Sequence, residues 1–399
     1  MPTRQFNNTY MFDQNTINLD ILKKRAFNLR WATVPEGVIP LTAADPDFPS
    51  APEIAEAIIR FTKDRYLSYG PPAGLPEFKE SVARFFQEKR NVPANPEWLF
   101  PVDSAAFGIY LICKTFLNSG DEAIIFDPVD FLFRYSTETV GGKAVTFAIP
   151  PGTEAPDFDR LESLITPRTK LLCLCNPLNP TGKVFTREEL LRFGEIAVKH
   201  NLIILSDEIW SDIIYAPHVF TSIASLNEEI RQQTITVTGY SKSYGLAGLR
   251  IGTVMAANAK YYSMLFEASL HQSTIHGANV LSQIAATTAL NDCQDYLDGF
   301  VAHLQQMKDL TVRLLNETNG FHCIAPEGCY VAFANIKATG KSSAEIRDIL
   351  FNEARVAVVP GQKEWFGEGA EGYIRLCFST TRPILEDALL RIKNTINNR

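Results

Sequence analysis

This chain of 399 residues has no block of like charge and no long apolar run. Its formal net charge is -7, and no basic cluster offsets it, which argues against a nucleic-acid surface. No apolar stretch reaches the ~20 residues that a membrane helix requires. The opening "MPTRQFNNTY" lacks the apolar centre of a secretory signal. A cytoplasmic protein without membrane or nucleic-acid partners is expected. Paired cysteines are lacking too. The seven fall at 113, 173, 175, 293, 323, 329 and 377, mostly inside apolar segments, and read as reduced buried thiols. Cys173 and Cys175 alternate with leucines in "LLCLC", on one face of a strand, with no nearby ligands to complete a metal site. Internal repeats and long low-complexity linkers are absent.

What the chain does have is material for a large core. Apolar content of 46% is ordinary globular composition, and the length favours two domains over one. "EIAEAIIRF" and "GLPEFKESVARFFQEKR" read as helices, the second with an apolar stripe of Leu75, Phe78, Val82, Phe85 and Phe86. Short apolar runs follow: "EAIIFDP", "KAVTFAIP", "KLLCLCNP", "LIILSDE", "TITVTGYS" and "IGTVMAAN". Helical patterns lie between several of them, among them "TREELLRFGEIAVKH", where Thr186 and Glu189 suit a capping box. Continuously apolar strands alternating with amphipathic helices predict an α/β sheet covered on both faces. The character changes after Leu290, where a long helix, "CYVAFANI", a helix near 342–354, "VAVVPG" and "YIRLCFS" precede a closing helix. The expected division is a large α/β domain over 45–290 and a smaller α+β domain built from 1–44 and 291–399.

In open α/β folds, ligands bind beyond the carboxyl ends of the strands. Three such ends are polar here: "CNPLNPTG", "SDE" and "GYSK". They bring an asparagine, an aspartate and a lysine to one sheet edge. Lysine is rarely buried without a partner, and a desolvated one has the lowered pKa suited to forming a Schiff base. Taken singly, Lys242 reads as a surface lysine and Asn-Pro-Thr-Gly as a turn. Their convergence gives the case for a site.

"TGYSKSYGLAGLRIG" resembles the pyridoxal-phosphate attachment signature of class I/II aminotransferases, and the likeness runs from about residue 40 to the C-terminus. The resemblance implies a fold-type I enzyme with a mostly parallel seven-stranded sheet. It makes Lys242 the Schiff-base lysine and Arg250 the grip on the cofactor phosphate. A guanidinium is a permanently charged fork matched to phosphate, whereas an amine can lose its proton and attack a carbonyl. "NPLNPTGKVF" sets Asn179 against the cofactor's phenolic oxygen, and "LSDEIW" sets Asp207 against the pyridine nitrogen. "GYIRLCFS" supplies Arg375 as the clamp on the substrate carboxylate, with Ala44 beside the substrate. The helix begun by Ser104, with Ala105 and Ala106, fits the phosphate cup together with Ser241. "YGPPAGLPEF" resembles the segment that sends a tyrosine, here Tyr69, to the phosphate of a partner subunit, which implies a homodimer.

Four positions depart from the family pattern. Ala106 and Gly239 each lack a frequent hydroxyl, so the phosphate leans more on Arg250, Ser104, Ser241, Tyr69 and backbone N–H groups. Trp210 stands where tyrosine is usual, and an indole N–H donates but never accepts, which predicts weaker stabilisation of the phenolic oxygen. Asp130 replaces the aromatic residue that commonly stacks on the ring. Either Phe131 takes over the stacking, or Asp130 contacts the substrate amine or a basic side chain.

The implied activity is transfer of the amino group of an L-amino acid to a 2-oxo acid by a Lys242 ping-pong mechanism. "EASLHQSTIHGANVLSQ" has no Arg or Lys to bind an acidic side chain; His271 and His276 are its only candidates for a cationic contact. Neutral or aromatic substrates are therefore expected over dicarboxylates. The same resemblance leaves open a carbon–sulfur β-lyase, a racemase or a specialised biosynthetic enzyme. A regulator that retains an aminotransferase-like domain would carry a DNA-binding segment, and no helix-turn-helix pattern or basic patch is present.

Overall fold

Apolar runs without polar alternation can be satisfied only by a sheet buried on both faces. In the computed structural model, which describes residues 12–399, they form one. The strands are β1 Leu99–Val102, β2 Glu122–Asp127, β3 Lys143–Ala148, β4 Thr169–Cys175, β5 Ile203–Asp207, β6 Thr234–Gly239 and β7 Gly252–Ala256. They lie in the order β1-β7-β6-β5-β4-β2-β3. Strands β2 to β6 run parallel, and β7 is antiparallel to both neighbours. The expected mostly parallel seven-stranded sheet is what forms. Strand β1, "LFPV", is the member that the apolar pattern does not mark. Its Pro101 is tolerated because β1 is an edge strand, paired only with β7.

The helices that bear on the site are α1 Pro76–Arg90, α2 Ala105–Phe116, α3 Leu132–Thr139, α4 Arg187–Lys199, α5 Val280–Asp292, α6 Gln294–Asn316, α7 Lys363–Phe366 and α8 Arg382–Asn397. The capping box read at α4 forms. Thr186 Oγ1 accepts from Glu189 N at 3.2 Å, and Glu189 Oε2 accepts from Thr186 N at 2.8 Å. Along α1, Phe78, Val82 and Phe86 are buried. Burying such side chains contributes about 1.5–3 kcal/mol each, far more than helix propensity.

A second sheet holds β8 His322–Cys323, β9 Val331–Asn335, β10 Val359–Pro360 and β11 Tyr373–Cys377, ordered β10-β11-β9-β8 and antiparallel throughout. Arg375 on β11 pairs in register with Phe333 and Val359. Ile39–Pro40 pairs in parallel with Val356–Ala357 as a separate two-stranded sheet. The seven cysteines are buried and unpaired. Among the described residues no helix is long and apolar enough to cross a membrane. The segment "MPTRQFNNTY", read as free of a secretory signal, lies outside the described residues.

Two buried charged groups shape the region around the sheet edge. Arg30 is 1% exposed and donates to Asp47 Oδ1 at 2.5 Å and to Pro40 O at 2.9 Å. Trp31 Nε1 donates to the same Asp47 oxygen at 2.8 Å, and Asp47 N donates to Ser379 O at 3.1 Å. Glu208 accepts from Ser222 Oγ at 2.6 Å and Ser206 Oγ at 3.1 Å, while its Oε2 has no partner. Burial pushes its carboxyl up to about 7 despite the Ser222 hydrogen bond. The folded protein thus holds a proton at Glu208 that the unfolded chain releases near its ordinary carboxylate value. Stability therefore falls as pH rises through that window. Glu208→Gln removes this component, so its Tm is expected to fall less than the parent's between about pH 5 and about pH 8. Parallel slopes in thermal scans across that range would contradict it.

Candidate active site

Strands β4, β5 and β6 end at the same sheet edge. The turns that follow them deliver Asn179, Asp207 and Lys242 to one cleft of about 410 Å³. Ser104, Ala105 and Ala106 line it from the start of α2, and Asp130 and Phe131 from the start of α3. Trp210, Ser241 and Arg250 line it from the loops after β5 and β6, Ala44 from the N-terminal segment, and Arg375 from β11. Of the residues marked in the sequence, Tyr69 is not among those lining this cleft. It is 86% exposed, with its ring edge-on to His276 at 4.6 Å.

Lys242 is half-buried. Its Nζ donates to Ala44 O at 2.6 Å and sits 5.2 Å from the centre of the Trp210 ring. Burial lowers its pKa, opposed mainly by the Asp45 carboxylate. Such a lysine spends more of its time as the neutral amine that can attack a carbonyl. Asp207, the last residue of β5, is buried and accepts from Ile209 N at 3.1 Å. Burial pushes its carboxyl up to about 7, the Ile209 hydrogen bond opposing and Asp130 adding to the rise. A carboxylate at that cost awaits a cationic neighbour.

Asn179 joins two charges. Its Nδ2 donates to Asp130 Oδ2 at 2.9 Å, and its Oδ1 accepts from Arg375 Nη1 at 3.1 Å. Arg375 Nη2 donates to Thr42 O at 3.1 Å, and its guanidinium lies 5.0 Å from the centre of the Phe366 ring. Its Nε is buried without a partner. Burial lowers the Arg375 pKa and raises that of Asp130; each charge offsets part of the other's shift. The buried cation with an unspent donor is what an incoming carboxylate would satisfy.

At the opposite end, Ser104 caps α2 by accepting from Phe107 N at 3.1 Å. The first amide groups of a helix have no intrahelical acceptor, and the dipole favours an anion there. Gly252 lets β7 come up against this turn: a Cβ on it would lie 2.6 Å from Ala105 N. Arg250, in a left-handed backbone conformation, borders the same end.

The far wall is a strap around α7. Phe131 N donates to Trp365 O and Val129 N to Phe366 O, both at 2.9 Å, and Gly369 N donates to Asp127 Oδ1 at 3.0 Å. Phe131 and Trp365 meet edge to face at 6.1 Å. Asp130 and Phe131 thus both reach the cleft, Asp130 through Asn179 and Phe131 through Trp365. Thr42, Trp365, Phe366 and Leu29 were not marked in the sequence. Their stretches read as ordinary loop or helix text, and only the fold brings Thr42 and Phe366 to Arg375 and Leu29 and Trp365 to the cleft. His271 is corrected: it is buried, with Nε2 3.0 Å from Pro101 O, and burial lowers its pKa. It is a core histidine, packed against the rings of Phe100 and Phe266.

Comparison with known proteins shows the family to which the chain belongs. The family model "Aminotransferase class I and II" matches residues 36–392. An aspartate aminotransferase of Bacillus subtilis (strain 168) is 31% identical over 368 residues, covering 90% of this chain and 91% of that protein. The aromatic aminotransferase from Pyrococcus horikoshii OT3 superposes with a TM-score of 0.86 at 29% identity, covering 92% of this chain and 97% of that one. Cystalysin from Treponema denticola, whose structure contains pyridoxal 5'-phosphate, gives a TM-score of 0.89 at 22% identity over 98% and 99% of the two chains, a likeness of fold. Pyridoxal phosphate presents an aldehyde, a basic ring nitrogen, a phenolic oxygen and a phosphate. The cleft offers an amine, a buried carboxylate, an amide and an anion-binding helix end, so the residues present fit the group. The chain belongs to the class I and II aminotransferase family, pyridoxal-phosphate-dependent enzymes of fold type I.

Proposed function

We propose that the protein moves the amino group of an L-amino acid with a neutral or aromatic side chain to a 2-oxo acid, in two half-reactions at Lys242. The observation that carries this reading is the meeting of Lys242, Asp207, Asn179 and Arg375, from four strands or strand ends, in one cleft. Pyridoxal phosphate supplies an aldehyde that condenses with amines and a conjugated ring that accepts electrons released at the substrate's Cα. Ser104, Ala105, Ala106, Ser241 and Arg250 would hold its phosphate, Asp207 its ring nitrogen, and Asn179 with Trp210 its phenolic oxygen. Ala44 and Phe131 would border the bound molecules.

Arg375 clamps the substrate carboxylate and so fixes which bond at Cα is aligned for cleavage. Lys242 would act as general base on the substrate's Cα proton and deliver it to the cofactor's aldehyde-derived carbon, so that the amino group stays with the cofactor. Burial, by lowering its pKa, leaves it free to do so. Tyr69, exposed and turned away from its own cleft, supports a homodimer in which it reaches the phosphate of a second copy. The side-chain end of the cleft is bounded by Leu29, Phe131, Trp365 and Phe366. Among the described residues the basic ones lining the cleft are Lys242, Arg250 and Arg375, each already assigned, which supports neutral or aromatic substrates.

A screen of the purified holoprotein against the common amino acids tests this. The bound cofactor's absorbance should shift on adding a neutral or aromatic amino acid and return on adding a 2-oxo acid. Release of pyruvate and ammonia from cystathionine, without dependence on a 2-oxo acid, would instead mark a carbon–sulfur lyase.

A further inference from the structure

Asp130 sets a carboxylate beside the groups that would hold the substrate. Its Oδ2 accepts from Asn179 Nδ2 at 2.9 Å and its Oδ1 from Leu132 N at 3.2 Å. Through the single amide of Asn179 it is linked to Arg375, whose Nη1 donates to Asn179 Oδ1 at 3.1 Å. The charge balance of the cleft follows from its walls. The carboxylates and basic groups lining it are Asp130, Asp207, Lys242, Arg250 and Arg375. In the function proposed above, Arg250 faces phosphate, Asp207 the ring nitrogen, and Lys242 exchanges its amine with the substrate's.

Arg375 and Asp130 remain, and their formal charges cancel. One substrate carboxylate on Arg375 leaves this corner with a single negative charge. A second carboxylate, on the side chain, would make two. Buried charges are weakly screened, so that repulsion is not dissipated by solvent or salt. Among the described residues of this chain no other lysine, arginine or histidine lines the cleft to absorb it.

We propose that Asp130 is a specificity-determining residue that admits amino acids with one carboxylate and rejects those with an acidic side chain by like-charge repulsion. Rejection by a misplaced charge is a general route to specificity, and it works without any new favourable contact. The proposal rests on the reading of Arg375 as the carboxylate clamp. It gives a function to a residue that occupies the place of a stacking aromatic.

Three variants of the holoprotein test it. Asp130→Asn keeps the shape and an acceptor for the Asn179 amide but loses the charge; Asp130→Phe loses both; Asp130→Glu keeps the charge. The readout is the ratio of kcat/KM for L-glutamate to that for L-phenylalanine, which does not depend on the folded fraction. The ratio should rise about tenfold or more in the Asn and Phe variants and stay within about threefold of the parent in the Glu variant. Calorimetric affinity for maleate relative to 3-phenylpropionate, both unreactive, should move in step. An unmoved ratio in Asp130→Asn, or a parent enzyme that prefers glutamate, overturns the proposal. Borohydride labelling of each variant separates the two levels. A label on Lys242 with an unmoved ratio sinks the role of Asp130 alone, whereas a label on another peptide removes the underlying reading as well.

Discussion

Lys242→Ala is expected to lower amino-group transfer by about 10⁴-fold or more, because in the proposed mechanism one side chain serves as both nucleophile and proton carrier. Lys242→Arg should be no better. A guanidinium does not give up its proton near neutrality, so it neither attacks an aldehyde nor collects the Cα proton. The alanine variant should fold normally, since the lysine makes one hydrogen bond, to Ala44 O, lies over the Trp210 ring, and otherwise feels only longer-range charges such as Asp45. Small free amines added to the alanine variant should restore part of the rate by supplying the missing base. Borohydride treatment of the parent holoprotein should tag the peptide carrying Lys242, and the alanine variant should take no tag. Retention of more than about one hundredth of the parent rate by Lys242→Ala would remove the lysine from the chemistry.

Arg30→Met carries the largest expected loss of stability, about 3–5 kcal/mol, because it leaves the buried Asp47 carboxylate uncompensated. Only the Trp31 indole and backbone groups would remain near it, and Asp47 Oδ2 already lacks a partner. Adding Asp47→Asn should recover much of the loss, since a neutral pair avoids the cost of an isolated buried charge. The double variant therefore separates charge imbalance from lost packing. Urea unfolding midpoints at constant m-value make the comparison. A single-variant loss under about 1 kcal/mol would mean that water reaches this pair. Asn28 and Leu29, which precede Arg30, border the cleft, so the same substitution should also weaken substrate binding.

The sheet was legible in the sequence because its strands are short apolar runs closed by turn residues. "LLCLCNP" and "LIILSDE" mark both a strand and its polar end. "LFPV" escaped because four residues containing a proline carry little periodicity, and the edge position that permits the proline is a tertiary fact. The convergence of Asn179, Asp207 and Lys242 was legible for a topological reason: successive parallel strands end at one edge. Arg375 could be singled out because a charge inside "YIRLC" has few apolar explanations. The strap over the cleft could not. Trp365 and Phe366 sit far in sequence from Phe131 and Val129, and their link is made by main-chain atoms that carry no sequence signature. His271, offered as one of two candidates for a cationic contact, stands between Leu270 and Gln272, and only its packing against β1 shows that it is buried.

That strap has an evolutionary consequence. Two of its three ties join peptide groups on both sides, and the third needs only one carboxylate, that of Asp127. The aromatic faces that Trp365 and Phe366 turn inward can be exchanged without untying it. Appetite for different substrates can thus drift in descendants of this scaffold while the distance between lysine and guanidinium is inherited unchanged.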